Sequence, residues 1–130
     1  MSRHERYLSR AHQEAEASEH PRWYLGAVLV RGGSIVATAH NVRRNSPYVT
    51  QGAPGTSLHA EQAVIRKVFY QADRAEGTTL YVVRVNNLGQ RRLARPCHRC
   101  YKAIVASGIK TVVYSVDDAA FGMERVYSNT

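Results

Sequence analysis

The stretch RPCHRCYKAIVASGIKTVVYS, residues 95–115, holds both cysteines of the chain and sets its architecture. Pro96 suits the first turn of a helix, where its missing N–H costs nothing. From Cys97 to Ser107 the pattern reads as a helix, and Gly108 supplies its stop. IKTVVYS then reads as a strand rich in β-branched residues. TLYVVRV (Thr79–Val85) reads as a strand upstream, so two strands flank the helix. Such a unit makes a parallel pair through a right-handed crossover.

The N-terminal part reads as a helix and a hairpin. Arg3 to Ser18 carries a thin apolar stripe of Tyr7, Leu8, Ala11 and Ala15 on a charged background. WYLGAVLV (Trp23–Val30) runs unbroken and apolar, as a strand buried on both faces does. RGGS at Arg31–Ser34 is a tight turn, and IVATAH returns as a second strand. A polar loop, NVRRNSPYVTQGAPGTS, follows, and loops of that length in compact domains often carry function. From Leu58 to about Asp73 the pattern is helical, with Ser57 as its N-cap. The tail, VDDAAFGMERVYSNT, is expected to hold a short helix and a last strand. The order α-β-β-α-β-α-β fits a single layered α/β domain over residues 1–130.

Composition narrows the class. The chain has 130 residues, 44% hydrophobic, and no apolar run approaches a membrane span. MSRHERYLSR is charged and leads into no apolar signal core, so a cytoplasmic location is expected. Two cysteines three apart form no disulfide framework and read as a metal or redox pair. A net charge of +8 attracts polyanions or phosphorylated small molecules; a solvated basic surface is the alternative.

At i and i+3 of a helix's first turn, Cys97 and Cys100 share one face, and the positive helix end favours their thiolates. Zinc takes such ligands but wants four. The helix beginning SLHAEQAV has His59 in its first turn. Two thiolates and one imidazole leave one position for water, the composition of a catalytic site, and zinc lowers the pKa of that water toward neutrality. Glu61 lies about 200° round the helix from His59, so it flanks a metal instead of binding it and is placed to move protons. His98, between the cysteines, could close the site as a fourth ligand, but a residue inside that turn usually points elsewhere. His40 reads as near a pocket or exposed; His4, His12 and His20 read as surface residues. Tyr48, Tyr101 and Tyr114 could line a pocket, with core packing the expected role for the last two.

The pairing of H-x-E with P-C-x-x-C resembles the signature of the zinc deaminases. Through LGAVLV, HAE, TLYV, RPCHRC and GIKTVVYS, from about Leu25 to Gly122, the chain resembles the cytidine deaminase-like superfamily. The resemblance implies a three-layer α/β/α fold with a mixed five-stranded sheet, an N-terminal β-hairpin, parallel later strands, and both zinc helices on one face. It implies Zn2+ held by His59, Cys97 and Cys100, with Glu61 as proton shuttle. Ala60 would help grip the base edge and Ala27 pack on the ring. Asn41 matches an asparagine that bonds the sugar, with Asn45 as rival and a loop-capping role as the alternative. Arg43 and Arg44 are placed to meet a phosphate, or are solvated loop arginines.

The implied reaction is hydrolytic deamination of a nucleobase. The first expectation is a cytosine nucleoside or nucleotide substrate. The rival is a polynucleotide, tRNA adenosine or single-stranded DNA or RNA, supported by the charge and by the tail. A non-catalytic zinc-stabilised domain binding nucleic acid is the third reading. Relatives are often homo-oligomers, so an oligomer is expected. Two features depart from many relatives: the long loop at 41–57, and VRVNNLGQRRLA before RPC, expected to extend the third strand into a β-hairpin or basic flap.

Overall fold

The computed structural model describes residues 2–18, 24–43, 57–58, 77–96 and 98–126, with backbone alone at 42–43, 57–58 and 98–99. Helix α1 (Arg3–Glu16) is N-capped by Ser2, whose Oγ accepts the Glu5 N–H at 3.1 Å. It ends two residues before the expected Ser18, whose N–H bonds Ala15 O at 3.0 Å in a tightened last turn and whose hydroxyl bonds Asn41. Strands β1 (Tyr24–Arg31) and β2 (Ser34–His40) form the expected antiparallel hairpin. Its turn needs positive φ at both central positions, and Gly32 (57°) and Gly33 (82°) supply it.

β3 (Val42–Arg43) pairs antiparallel with β4 (Ser57–Leu58), closing the neck of the long loop. Ser57 and Leu58 are thus strand residues, not the cap and first residue of a helix; the helix expected onward to Asp73 lies outside the described residues. β5 (Thr79–Val85) turns back into β6 (Arg91–Arg92), with Arg84 opposite Arg92 and Val85 opposite Arg91. The insert before Pro96 is therefore a β-hairpin. Asn86 builds its turn: Oδ1 accepts from the Leu88 N–H (3.0 Å) and the Gln90 N–H (2.9 Å).

Helix α2 (His98–Ser107) crosses over to β7 (Thr111–Ser115), which runs parallel to β5 from Thr79↔Thr111 to Val82↔Tyr114. Gly108 at φ 85° ends α2 as expected. The tail holds the expected last strand but departs from expectation before it. No helix forms between β7 and β8 (Phe121–Arg125); Val116 N and Asp117 N both bond Ala120 O (3.1 and 3.3 Å), and Asp117 Oδ1 caps Ala119 N (2.8 Å). So short a reversal cannot make a parallel connection, and β8 runs antiparallel to β7.

The main sheet has the order β2-β1-β5-β7-β8, five strands on one path, with β6 joined to β5 as a sixth. Helices cover both faces, as the three-layer expectation requires. On one, Tyr7, Leu8, Ala11 and Ala15 of α1 pack on Val28, Tyr81, Val83 and Val113. On the other, Ile104 of α2 packs with Ala27, Leu29, Leu80 and Val82. The alternation of strand side chains sorts these two cores. Gly26 lets α1 approach β1, since a Cβ there would collide with the Ala11 carbonyl and the Ala15 N–H. No helix among the described residues is long and apolar enough to cross a membrane.

Candidate active site

Strands β2, β5 and β7 run in one direction, and β1 in the other. Their carboxyl ends, the start of β1 and the first turn of α2 therefore meet at one end of the sheet. Ligand sites of α/β sheets lie at that end. Four predicted site residues fall there or just beyond. Cys100 is fully buried in the first turn of α2. Ala27 is fully buried on β1, on the face that α2 covers. Asn41 directly follows β2, and the Arg43 backbone lies in β3.

His59, Ala60, Glu61, Cys97 and Arg44 lie outside the described residues, as do Asn45, Tyr48 and His20; the His98 side chain is not described. The backbone leading to His59 and Cys97 is described. Leu58, the residue before His59, stands opposite Val42, the residue after Asn41. Pro96, the residue before Cys97, follows a segment fixed by the Ala94 N–H bonded to Ser115 O at 2.9 Å. A buried sulfur in a helix's first turn is the donor expected of a soft metal ligand, so Cys100 fits a zinc site.

Asn41 is fully buried. Its Oδ1 accepts from the Leu25 N–H (2.9 Å) and the Ser18 hydroxyl (2.6 Å), and its own N–H bonds Leu25 O at 3.0 Å. The side chain thus ties the end of α1, the start of β1 and the end of β2 into one joint. Ser18 was not singled out in the sequence, since nothing local marks a lone serine after a helix as the partner of a residue 23 positions on.

Ser115, at the end of β7, was missed for the same reason. It is fully buried, accepts from the Arg84 N–H (3.2 Å) and donates to the Arg92 carbonyl (2.6 Å). One hydroxyl so joins β5, β6 and β7 beside the site. Beyond Pro96 an open cavity of about 300 Å³ is lined by Arg95, Pro96, Tyr101 and Glu124. Arg95 Nε lies 2.8 Å from Glu124 Oε1, and the Tyr114 hydroxyl donates to the same oxygen at 3.3 Å. Burial first, then the Glu124 carboxylate, raises the Tyr114 pKa above 10, so this phenol is a hydrogen-bond donor at neutral pH.

Several histidines and arginines belong to the other face. His4 is partly buried, its Nδ1 2.8 Å from the Tyr81 hydroxyl, and His12 Nδ1 accepts from Arg91 Nε at 3.1 Å. Neither is the surface residue expected. His40 Nδ1 lies 3.3 Å from Glu14 of α1.

Residues 1–116 match the family model described as the cytidine and deoxycytidylate deaminase zinc-binding region. Among curated proteins the chain is 33% identical over 132 residues to a tRNA-specific adenosine deaminase of Bacillus subtilis (strain 168), covering 99% of this chain and 71% of that one. It is 28% identical over 120 residues to ComE operon protein 2 of the same organism, covering 85% of this chain and 58% of the relative. Among solved structures, the dCMP deaminase of cyanophage S-TIM5 superposes with a TM-score of 0.68 at 28% identity, covering 87% of this chain and 82% of the other. A cytidine deaminase of Burkholderia pseudomallei shares the fold, with a TM-score of 0.73 at 19% identity over 97% and 94% of the two chains.

Proposed function

We propose, from the premise that this chain belongs to the cytidine and deoxycytidylate deaminase zinc-binding family, that it hydrolytically deaminates a cytosine nucleoside or nucleotide. The observation that carries the reading is the buried Cys100 in the first turn of α2, at the same end of the sheet as the backbone leading into H-A-E. His59, Cys97 and Cys100 would hold Zn2+. When bound, that ion acidifies a water and supplies the nucleophile at neutral pH.

The chain's own residues do the rest. Glu61 takes a proton from the attacking water and gives it to the ring nitrogen beside the carbon that bears the amine. It then delivers a second proton to the leaving nitrogen, so ammonia departs and a carbonyl remains. Ala27, small and fully buried in β1, is the proposed packing contact behind the ring. Ala60 borders the base edge. Asn41, Arg43 and Arg44 are the proposed contacts to sugar and phosphate, with the Asn41 carboxamide oxygen already committed to the joint at Leu25 and Ser18.

A second reading, deamination of tRNA adenosine or of a single strand, is favoured by the 33% relative and the +8 charge. The test incubates the purified protein with cytidine, deoxycytidine, their monophosphates, adenosine and short single strands, reading ammonia and product base. Glu61→Gln is expected to keep fold and metal and to lower turnover by about 10²–10⁴-fold. Full activity in that variant would contradict the catalytic role and leave a non-catalytic zinc domain as the better reading. A homo-oligomer in the cytoplasm fits this activity.

A further inference from the structure

We infer that β8 is a self-docking edge, on which a second copy of this chain pairs antiparallel about a two-fold axis at Met123. β8 ends the path of the main sheet, so one of its sides has no strand beside it among the described residues. The bonds from Val126 N–H to Lys110 O (2.8 Å) and from Val116 N–H to Ala120 O (3.1 Å) bracket its pairing with β7. Antiparallel ladders alternate bonded and non-bonded pairs, so Gly122 and Glu124 turn their backbone groups toward β7. The N–H and C=O groups of Phe121, Met123 and Arg125 therefore point off the sheet. Such a row of groups is a template for another strand, and edges that stay single are commonly blunted by lysine, proline or a bulge. FGMER has no lysine or proline, and its register on β7 runs without a shift.

The side chains complete the surface. Met123 stands opposite Val113, so Phe121, Met123 and Arg125 share the face under α1. Phe121 is 39% exposed, Met123 59%, and Val116 at the adjoining turn 38%. Apolar surface gathered along one strand edge marks an interaction site. The occupant is a second copy because the strand is complementary to itself reversed. Centred on Met123, the pairing makes the three outward-facing residues its hydrogen-bonded pairs. It sets Phe121 against the copy's Arg125, a ring against a guanidinium, and Glu124 against the copy's Gly122, which has no side chain to oppose it. Centring on Glu124 instead would set carboxylate against carboxylate. Centring on Gly122 would leave Arg125 opposite Ala119, outside the strand. Glu124 is held on its own face by Arg95 and Tyr114 and does not compete. The copy is inverted in this pairing, so the two candidate sites lie at opposite ends of the joined sheet and neither is covered.

The test measures the native mass of the full chain by sedimentation for the wild type, M123K, M123E and an equimolar mixture of the two variants, with circular dichroism checking the fold of each. The wild type should contain an even number of chains. M123K and M123E alone should contain half as many, their dissociation constants raised about tenfold or more by like charges directly opposed at the axis. Mixing them should restore the wild-type mass, because residue 123 of one chain faces residue 123 of the other and opposite charges then meet. A wild type that stays a single chain across the micromolar range or holds an odd number of chains, variants that keep the wild-type mass, or a mixture that stays dissociated would overturn the pairing. If a charge at 123 unfolds the chain, M123P carries the test: it removes an outward N–H that the β7 ladder does not use, and it should likewise halve the mass. No proposed catalytic residue lies in this edge, so the outcome is independent of the deaminase reading.

Discussion

On the face under α1, strands β1 and β5 present Val28, Val30, Tyr81, Val83 and Val85; on the face under α2, β1 and β2 present Ala27, Ala37 and Ala39 beside Leu29, Leu80 and Val82. The first face is filled by its helix. Tyr7 and His4 both lie against the Tyr81 ring, with centroids 5.2 and 5.7 Å away. The Tyr7 hydroxyl donates to Gly33 O at 2.8 Å, closing the helix onto the hairpin turn. Polar groups on that side are answered within the protein, as in Arg91 with Glu5, Arg10 with Glu14, and His40 with Glu14. The second face carries Cys100, small residues along the β-hairpin, and the Arg84–Arg92 pair at the carboxyl end of β5. Both faces are filled, the first chiefly by large side chains and the second by buried alanines of β1 and β2 among Leu29, Leu80, Val82 and Ile104. The same insert contributes to both, because Arg91 and Arg92 are consecutive and point to opposite faces.

The largest expected effect comes from forcing the first face apart. Gly26→Ala places a methyl group against α1 backbone, which cannot move away as a flexible side chain could. Chemical denaturation should show a loss of about 3 kcal/mol or more, at the upper end of overpacking costs. A loss below 1 kcal/mol would mean that α1 is less firmly seated than its contacts indicate.

Asn41→Ala probes the joint between the faces. Removing its oxygen leaves the Leu25 N–H without its acceptor, while the Ser18 hydroxyl keeps the Asn41 backbone carbonyl at 3.0 Å, a cost of about 1–3 kcal/mol. If Asn41 also binds the sugar, KM rises in the protein that remains folded, whereas a purely structural role leaves KM unchanged. Arg91→Ala should cost about 1 kcal/mol and leave kcat/KM unaltered, because its side chain is 12% exposed and its guanidinium is spent on α1. A tenfold or larger fall in kcat/KM there would contradict the assignment of Arg91 to the α1 face.

The smallest effect is a pH dependence. Burial first, then Tyr7, raises the Tyr81 pKa above 10, with Arg3 opposing. The native state keeps a proton that the unfolded chain releases, so this contribution to stability is present below pH 10 and is lost as pH rises through the raised value. Tyr81→Phe should flatten the alkaline limb of a stability–pH curve; an unchanged limb would put its cause elsewhere.

Much of this arrangement is legible in the residues. Gly32 and Gly33 mark the hairpin, Gly108 marks the end of α2, and the β-branched runs at 79–85 and 111–115 mark the parallel pair, since each signal is local and strong. The family signature is legible because five residues in two short motifs carry it. What stayed hidden depends on register and distant partners. FGMER alternates Phe121 and Met123 with Gly122 and Glu124, but alternation alone does not set a strand's direction, which follows from the tight turn at Asp117. Neither Ser18 nor Ser115 differs locally from a solvated serine. A run of arginines does not say which face each takes until β6 is aligned on β5.

The central claim is that His59, Cys97 and Cys100 hold one zinc ion beside Glu61. Metal content of the purified protein, set against that of Cys100→Ala, tests it most directly. The account predicts about one zinc per wild-type chain and almost none in the folded variant, because losing one of three protein ligands leaves too few to retain the ion. A metal-free wild type that still deaminates, or a Cys100→Ala protein that keeps its full zinc, would contradict it.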